Sequence, residues 1–197
     1  MKRVAVIGGS CTGKTTTSRR LAAILGVPVI ELDALHHDPG WQEASAEVFR
    51  ERVKAAFAAA PDGWVADGNY HGKLGTMVFE HADTVLWLDL PHRTALRRAL
   101  WRTTWRAATR RELWNGNCET FRNMFSRNSI IWWVIKHHRS HRKKWPVRLA
   151  PLTHLDVVRL GSPRAVRNWL QSIQATEPMS GSSKGSELQK TPPFVET

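Results

Sequence analysis

Gly8, Gly13, Lys14 and Thr15 stand in the spacing G-x-x-x-x-G-K-[ST]. That spacing suits a loop that holds a chain of phosphates. The glycines let the backbone bend so that successive N–H groups point inward at an anion. A helix starting at Lys14 adds its positive end behind them. Lys14 can reach the β- and γ-phosphates, and the Thr15 hydroxyl can sit on a magnesium ion. The stretch Gly8, Gly9, Ser10, Cys11, Thr12, Gly13, Lys14, Thr15 and Thr16 is therefore read as the binding loop for magnesium-bound ATP. Cys11 reads as a small filler within it. Three aspartates, Asp33, Asp67 and Asp89, each follow an apolar run. Arg98, Arg102, Arg106 and Arg110 recur every four residues and share one side of a helical stretch.

These groups need elements to position them. Val4–Ile7 is short, β-branched and apolar, as a buried strand is. Residues 14–25 read as a helix with Leu21, Ile24 and Leu25 on one face. Further strands are expected at Val27–Leu32, Trp64–Ala66, Thr84–Leu90 and His154–Leu160. A helix is expected over 45–60, with Val48, Val53 and Phe57 on its inner side and Pro61-Asp62-Gly63 ending it. Another runs from Pro163 to about Ile173, capped by Ser162 with Pro163 in its first turn. Strands alternating with helices predict an α/β fold, a parallel sheet covered on both faces. Ligands of such sheets bind beyond the carboxyl ends of the strands, where all three aspartates fall. Two long helices, about Pro91–Arg111 and Glu119–His138, flank a turn at Leu113–Asn117 and form a hairpin inserted between the fourth and fifth strands.

The chain of 197 residues is 42% hydrophobic, enough for one globular domain with its own core. Two cysteines far apart argue against a disulfide scaffold and suit a reducing cytoplasm. The apolar run before Gly8 is too short for a secretory signal, and no run approaches a membrane span. The net charge of +12 is unevenly placed. Residues 1–90 carry 9 basic and 11 acidic side chains, whereas residues 91–148 carry 15 basic and 2 acidic. The inserted hairpin thus holds the whole excess and should meet something anionic. Beyond about residue 175 the sequence is poor in apolar residues and reads as a disordered tail, 175–197.

The layout resembles the nucleoside-monophosphate kinase group of P-loop proteins, relatives of adenylate and shikimate kinases. The runs ELDALHHDPGW, WVADGNY, LWLDLP, ELWNGN and RLGSPRAVRNWL look most like the bacterial kinases called DNA topology modulation proteins. The resemblance spans residues 1–174. It implies a P-loop three-layer fold with a five-stranded parallel sheet in the order 2-3-1-4-5. It also implies a mobile lid, here the basic hairpin at about 91–148. On this resemblance Asp67 helps hold magnesium through water, together with Thr15. Arg97 or Arg98 stacks on adenine, and Ser162-Pro163 border the base from the other side. Lid arginines meet the phosphates during transfer; Arg98, Arg102, Arg106, Arg110 and Arg111 are the candidates. Two departures stand out. The arginine that holds an AMP phosphate is replaced by the run Asn69-Tyr70-His71, and Asp33 stands where AMP-binding residues would be. An aspartate there looks like the kinases of small hydroxylated acceptors, where it meets the reacting hydroxyl.

Lys14, Asp33, Arg98, Arg102 and Arg106 are accordingly the candidate catalytic set. Asp33 either hydrogen-bonds the acceptor hydroxyl as general base or caps the loop after the second strand. Asn69, Tyr70 and His71 either line the acceptor pocket or pack. His36, His37 and Asp38 read as a solvated acceptor loop rather than a metal site, and Asp89 as a turn residue before Pro91. Three functions fit. The first is an ATP-dependent kinase acting on a small hydroxyl-bearing or nucleotide-like acceptor. The second is a nucleic-acid-binding protein or polynucleotide kinase using the basic cluster 136–144. The third is an NTP-driven switch with no acceptor.

Overall fold

The computed structural model describes residues 1–109, 142 and 144–176. Strand β1 (Arg3–Gly8) leads through the glycine loop into helix α1 (Lys14–Leu25). Strand β2 (Val29–Glu31) runs directly into the short helix α2 (Leu32–His36). A small antiparallel hairpin, β3 (His37–Asp38) and β4 (Gln42–Glu43), precedes α3 (Ala46–Ala58). Then come β5 (Trp64–Asp67), α4 (His71–Leu74), α5 (Met77–His81) and β6 (Thr84–Leu88). Helix α6 (His92–Thr109) opens the insertion, residues 144–149 are helical on its return, and β7 (Asp156–Leu160) and α7 (Pro163–Thr176) complete the fold.

The main sheet runs β2-β5-β1-β6-β7, and every pairing in it is parallel. Counting only these five strands in chain order, that is 2-3-1-4-5, as expected. Parallel strands buried on both faces alternate between two cores. Val4 and Val6 of β1 join Leu21, Leu86, Leu88 and Leu170 on the face covered by α1 and α7. Ala5 and Ile7 join Phe49, Val53, Trp64 and Trp87 on the face covered by α3. Phe57 stacks on Trp64 with ring centroids 4.2 Å apart, tying α3 to the start of β5. Trp145, 1% exposed, plugs the same core and meets Phe79 edge-on at 5.8 Å. The return limb of the insertion is thereby anchored in the core.

Several boundaries differ from expectation, each for a local reason. The second strand is Val29–Glu31 rather than Val27–Leu32. Pro28 has no N–H to give the ladder, though its carbonyl accepts from Val65 N at 3.0 Å. Leu32 reaches the core from the first turn of a helix instead. The inner face of α3 is Phe49, Val53 and Phe57, one residue out of phase with Val48 at its start. Val48 is exposed, and its N–H is held by the Ser45 cap at 3.2 Å. The fourth sheet strand ends at Leu88: Asp89 N makes the last ladder bond, to the Leu160 carbonyl 3.0 Å away, and Pro91 beyond it has no N–H to give. The fifth begins at Asp156, and the last helix extends to Thr176. The expected second insertion helix, its turn, Arg110, Arg111 and the 177–197 part of the tail lie outside the described residues. So does the cluster 136–144, apart from Arg142 and Lys144.

Candidate active site

The loop from Gly8 to Gly13 leaves the carboxyl end of the central strand β1, so the sheet itself sets its position. Gly8 has φ +155°, and a Cβ on it would lie 2.7 Å from the Leu88 carbonyl oxygen on β6. Only a glycine lets the loop leave the sheet this close to its neighbour. Gly13 has φ +95° and starts α1, putting the helix's N–H groups behind the loop. Thr12 is buried and its Oγ1 donates to the Gly9 carbonyl at 2.8 Å, which closes the turn. Lys14 Nζ donates to the carbonyls of Gly8 and Gly9, 3.2 Å from each, so its ammonium lies over the loop.

Two contacts brace this loop from outside. Asn69 clasps Gly8 in both directions: Nδ2 donates to the Gly8 carbonyl, and Oδ1 accepts from Gly8 N at 3.1 Å. Arg98 reaches down from α6, and its Nη1 donates to the Thr12 carbonyl at 2.7 Å. Ala95 and Ala99 on the same helix are buried, with Cys11 packed against them. Between the two candidates at the start of the insertion, the structure brings Arg98 to the loop and leaves Arg97 exposed. Arg102 and Arg106 continue α6, their side chains outside the described set.

Thr15 and Asp67 meet at the end of β5, where Thr15 Oγ1 donates to Asp67 Oδ2 at 2.6 Å. Asp67 is 7% exposed, and its other oxygen, Oδ1, is buried with no hydrogen-bond partner among the described residues. Burial pushes its pKa up, with the charges of Asp33 and Glu31 adding to the rise; Lys14 and the Thr15 hydroxyl pull it down without cancelling it. An unmatched carboxylate oxygen beside a hydroxyl, next to the glycine loop, is a hard-oxygen donor set that fits magnesium.

Asp33 stands in the first turn of α2, and no side chain caps that helix. Its Oδ1 accepts from Tyr70 Oη at 2.6 Å. Burial, then the charge of Asp33 and its hydrogen bond, push the Tyr70 phenol far up, so Tyr70 remains a donor. The Tyr70 ring lies 4.7 Å from His36 and 4.9 Å from Phe49. The expected Asn69-Tyr70-His71 group therefore divides. Asn69 bonds the glycine loop, Tyr70 bonds Asp33, and His71 packs near Phe79 and Trp145.

Two readings change, those of His36 and Asp89. His36 is not solvated but 3% exposed, and burial, then Lys73, hold its pKa below the usual value. Lys73 Nζ lies 3.3 Å from His36 Nε2 and donates to Glu43 at 2.8 Å. Asp38 is paired with Arg52 at 2.9 Å. Asp89 is more than a turn residue. Its carboxylate, 5% exposed, takes Arg142 at 2.9 Å and both Nε and Nη2 of Arg159. Arg159 also lies over the Trp87 ring, 4.4 Å from its centroid. No sequence signal pointed to this cluster. Ser162 Oγ accepts from Ala165 N at 3.1 Å and caps α7 at the carboxyl end of β7. Among the described residues, no helix is long and apolar enough to cross a membrane.

No protein-family model matches the chain, and no curated protein matches it. Solved structures do. The chain is similar to a shikimate kinase from Acinetobacter baumannii solved in complex with shikimate. The two share 18% identity at a TM-score of 0.52, covering 88% of this chain and 90% of that one. It is also similar to a shikimate kinase from Bacteroides thetaiotaomicron, at 13% identity and a TM-score of 0.51, covering 88% and 97%. At these identities the likeness is one of fold: this chain has the three-layer P-loop α/β fold of those kinases.

Proposed function

We propose that this protein is an ATP-dependent phosphotransferase that moves the γ-phosphate of ATP to a hydroxyl on a small acceptor. The observation that carries this reading is the placement of two carboxylates together at the carboxyl ends of neighbouring strands. Asp67 is bonded to Thr15 beside Lys14, and Asp33 is held by Tyr70 close enough for its charge to act on Asp67. Residues 1–174 form the catalytic domain, with the insertion as a lid, in a chain suited to the cytoplasm.

In this reading the glycine loop and Lys14 hold the β- and γ-phosphates, and Thr15 and Asp67 hold magnesium directly or through water. A magnesium ion held there would offset the negative charge of the phosphates. Tyr70 occupies Oδ1 of Asp33, which leaves Oδ2 for the acceptor. The acceptor hydroxyl gives its proton to Oδ2 as its oxygen bonds to the γ-phosphorus. The bond from that phosphorus to the β,γ-bridging oxygen breaks, and ADP leaves. Arg98 steadies the loop at Thr12, and other insertion arginines exclude water and meet the transferring charge.

The test is ADP release across nucleosides, nucleotides, small alcohols, sugars and nucleic-acid ends. Turnover disappears in Lys14→Ala. Asp33→Asn keeps Mg-ATP affinity and loses acceptor phosphorylation by about 100-fold, in the range of general-base contributions. Turnover persisting in Lys14→Ala, or equal loss of nucleotide binding in Asp33→Asn, overturns the assignment.

A further inference from the structure

The short helices α2 and α4 are joined by two contacts. Tyr70, at the N-terminal cap of α4, donates from Oη to Asp33 Oδ1 on α2 at 2.6 Å. Lys73, three residues further along α4, places Nζ 3.3 Å from Nε2 of His36, three residues beyond Asp33 on α2. Residues three apart in a helix share a side, so the two contacts are successive rungs between the same two faces. The rungs are also packed on each other. The Tyr70 ring meets the His36 ring edge-on at 4.7 Å, and both lie 4.9 Å from Phe49. Lys73 N donates to the Tyr70 carbonyl at 3.0 Å, which ties the two partners on α4 into one turn.

The second rung admits one protonation state. An ammonium has three donors and no acceptor. Lys73 gives its own to Glu43 Oε2 at 2.8 Å, the Ala44 carbonyl at 3.3 Å and His36 Nε2. Nε2 must therefore offer a lone pair, which assigns the proton of the neutral ring to Nδ1. Nδ1 is buried and has no hydrogen-bond partner among the described residues. A protonated ring would turn an N–H toward the ammonium and find no acceptor at Nδ1. Around the ring stand Lys73 of α4, His37 of β3, Glu43 of β4 and Asp33 on its own helix, while α3 presents Phe49. The Glu43 carboxylate, 3.6 Å from Nε2, favours the protonated ring, but it is exposed and already engaged by Lys73. Burial, then Lys73 and His37, outweigh it and hold His36 below the ordinary histidine value.

We propose that His36 and Lys73 are positioning residues for Asp33: their contact fixes α2 against α4 only while His36 is neutral, so acid opens this rung, loosens Tyr70 from Asp33 and switches off transfer to the acceptor. The role in transfer rests on the kinase reading above. The sign follows from linkage. A base that is harder to protonate in the fold than in the open chain stabilises the fold above about pH 6.5, and that stability is lost as pH falls toward the lowered folded value.

Tyr70 is the only tyrosine of the chain, so the full-length protein labelled with carbon-13 at tyrosine Cζ gives one resonance that reports the bond to Asp33. The expected result is a shift of that resonance between about pH 7 and pH 5, above the carboxylate range near 4 and in step with the His36 ring signal. In His36→Gln the side-chain carbonyl still accepts from Lys73 but takes up no proton, and the tyrosine resonance stays level across that window. In Lys73→Met it is displaced already at about pH 8, and the His36 ring takes up its proton about one pH unit higher, a tenfold gain in proton affinity. A parent resonance that is level from about pH 7.5 to pH 5, or one that still moves in His36→Gln, overturns the proposal. In the ADP-release panel, the acceptor whose turnover Asp33→Asn stops reacts about 10-fold more slowly in Lys73→Met, with Mg-ATP affinity unchanged. Unaltered turnover there also overturns the proposal. The spectra need no nucleotide, so failure of the kinase reading, seen as absent Mg-ATP binding, is a separate result.

Discussion

Asp67→Asn should make the free protein more stable and its nucleotide complex weaker. The side chain keeps its shape, so packing is unchanged while the charge goes. In the native protein Asp67 is 7% exposed, with Oδ1 unpartnered among the described residues and Oδ2 bonded to Thr15 at 2.6 Å. An unmatched buried atom costs more when charged than when neutral, and Asn leaves a neutral one in the same place, while the bond from Thr15 weakens by about 1 kcal/mol when its acceptor is neutral. The gain in the variant is therefore only the cost of burying the charge less that loss, and each ~1 kcal/mol of it raises Tm by roughly 2–4 °C in a chain of this size. The sign agrees with the raised pKa of Asp67. A carboxyl that is harder to ionise in the fold than in the open chain destabilises the fold above its folded pKa. That penalty fades as pH falls through the raised value toward the unfolded one, near 4. The Tm difference between variant and parent therefore shrinks on acidification. Saturating Mg-ATP at about 100 times Kd adds about 2.7 kcal/mol to the parent. Asp67→Asn loses the part of that gain that disappears from the parent when EDTA is added. Scanning calorimetry with ATP, with and without magnesium, measures both effects. A variant that melts lower than the parent and retains the full magnesium-dependent rise would refute the assignment of Asp67.

Gly8→Ala forces a Cβ to within 2.7 Å of the Leu88 carbonyl at φ +155°, so denaturant titration should show a loss of about 1–3 kcal/mol. An unchanged midpoint would show that the loop is not wedged against β6. Asp83 gives a pH effect opposite in sign to that of Asp67. Burial raises its pKa, but hydrogen bonds from Thr84 and from the N–H groups of Arg3 and Lys2 outweigh that, and the net shift is downward. Its stabilisation is present above the ordinary carboxylate range and lost as pH falls through the lowered value. Asp83→Asn should flatten the fall in Tm between about pH 5 and pH 3, and an unaltered acid slope would exclude the role.

What the sequence disclosed, and what it hid, follows from the range of each interaction. The glycine loop between β1 and α1 was legible because its determinants lie within eight consecutive residues. The sheet was legible because strands buried on both faces leave short apolar runs between helical periods. The partners were not. Tyr70 meets Asp33 across 37 residues, Asn69 meets Gly8 across 61, and Arg98 meets Thr12 across 86. Those pairings exist only once the strand order brings their loops to one edge. The phase of α3 slipped because Val48 and Phe49 are both apolar and only packing chooses between them. His36 looked like a surface residue beside His37 and Asp38, but its spacing of four from Leu32 put both on one side of α2, and both are buried.

The clasp between Asn69 and Gly8 makes the two halves of the cleft a single mechanical unit. The backbone from 67 to 70 carries the Asp67 carboxylate, the clasp and the tyrosine bonded to Asp33, all within four residues. An acceptor that shifts Tyr70 by a fraction of an ångström pulls on the first turn of the phosphate loop through the same short stretch of chain. On the kinase reading, acceptor and nucleotide then change each other's affinity, and linkage requires the two changes to be equal.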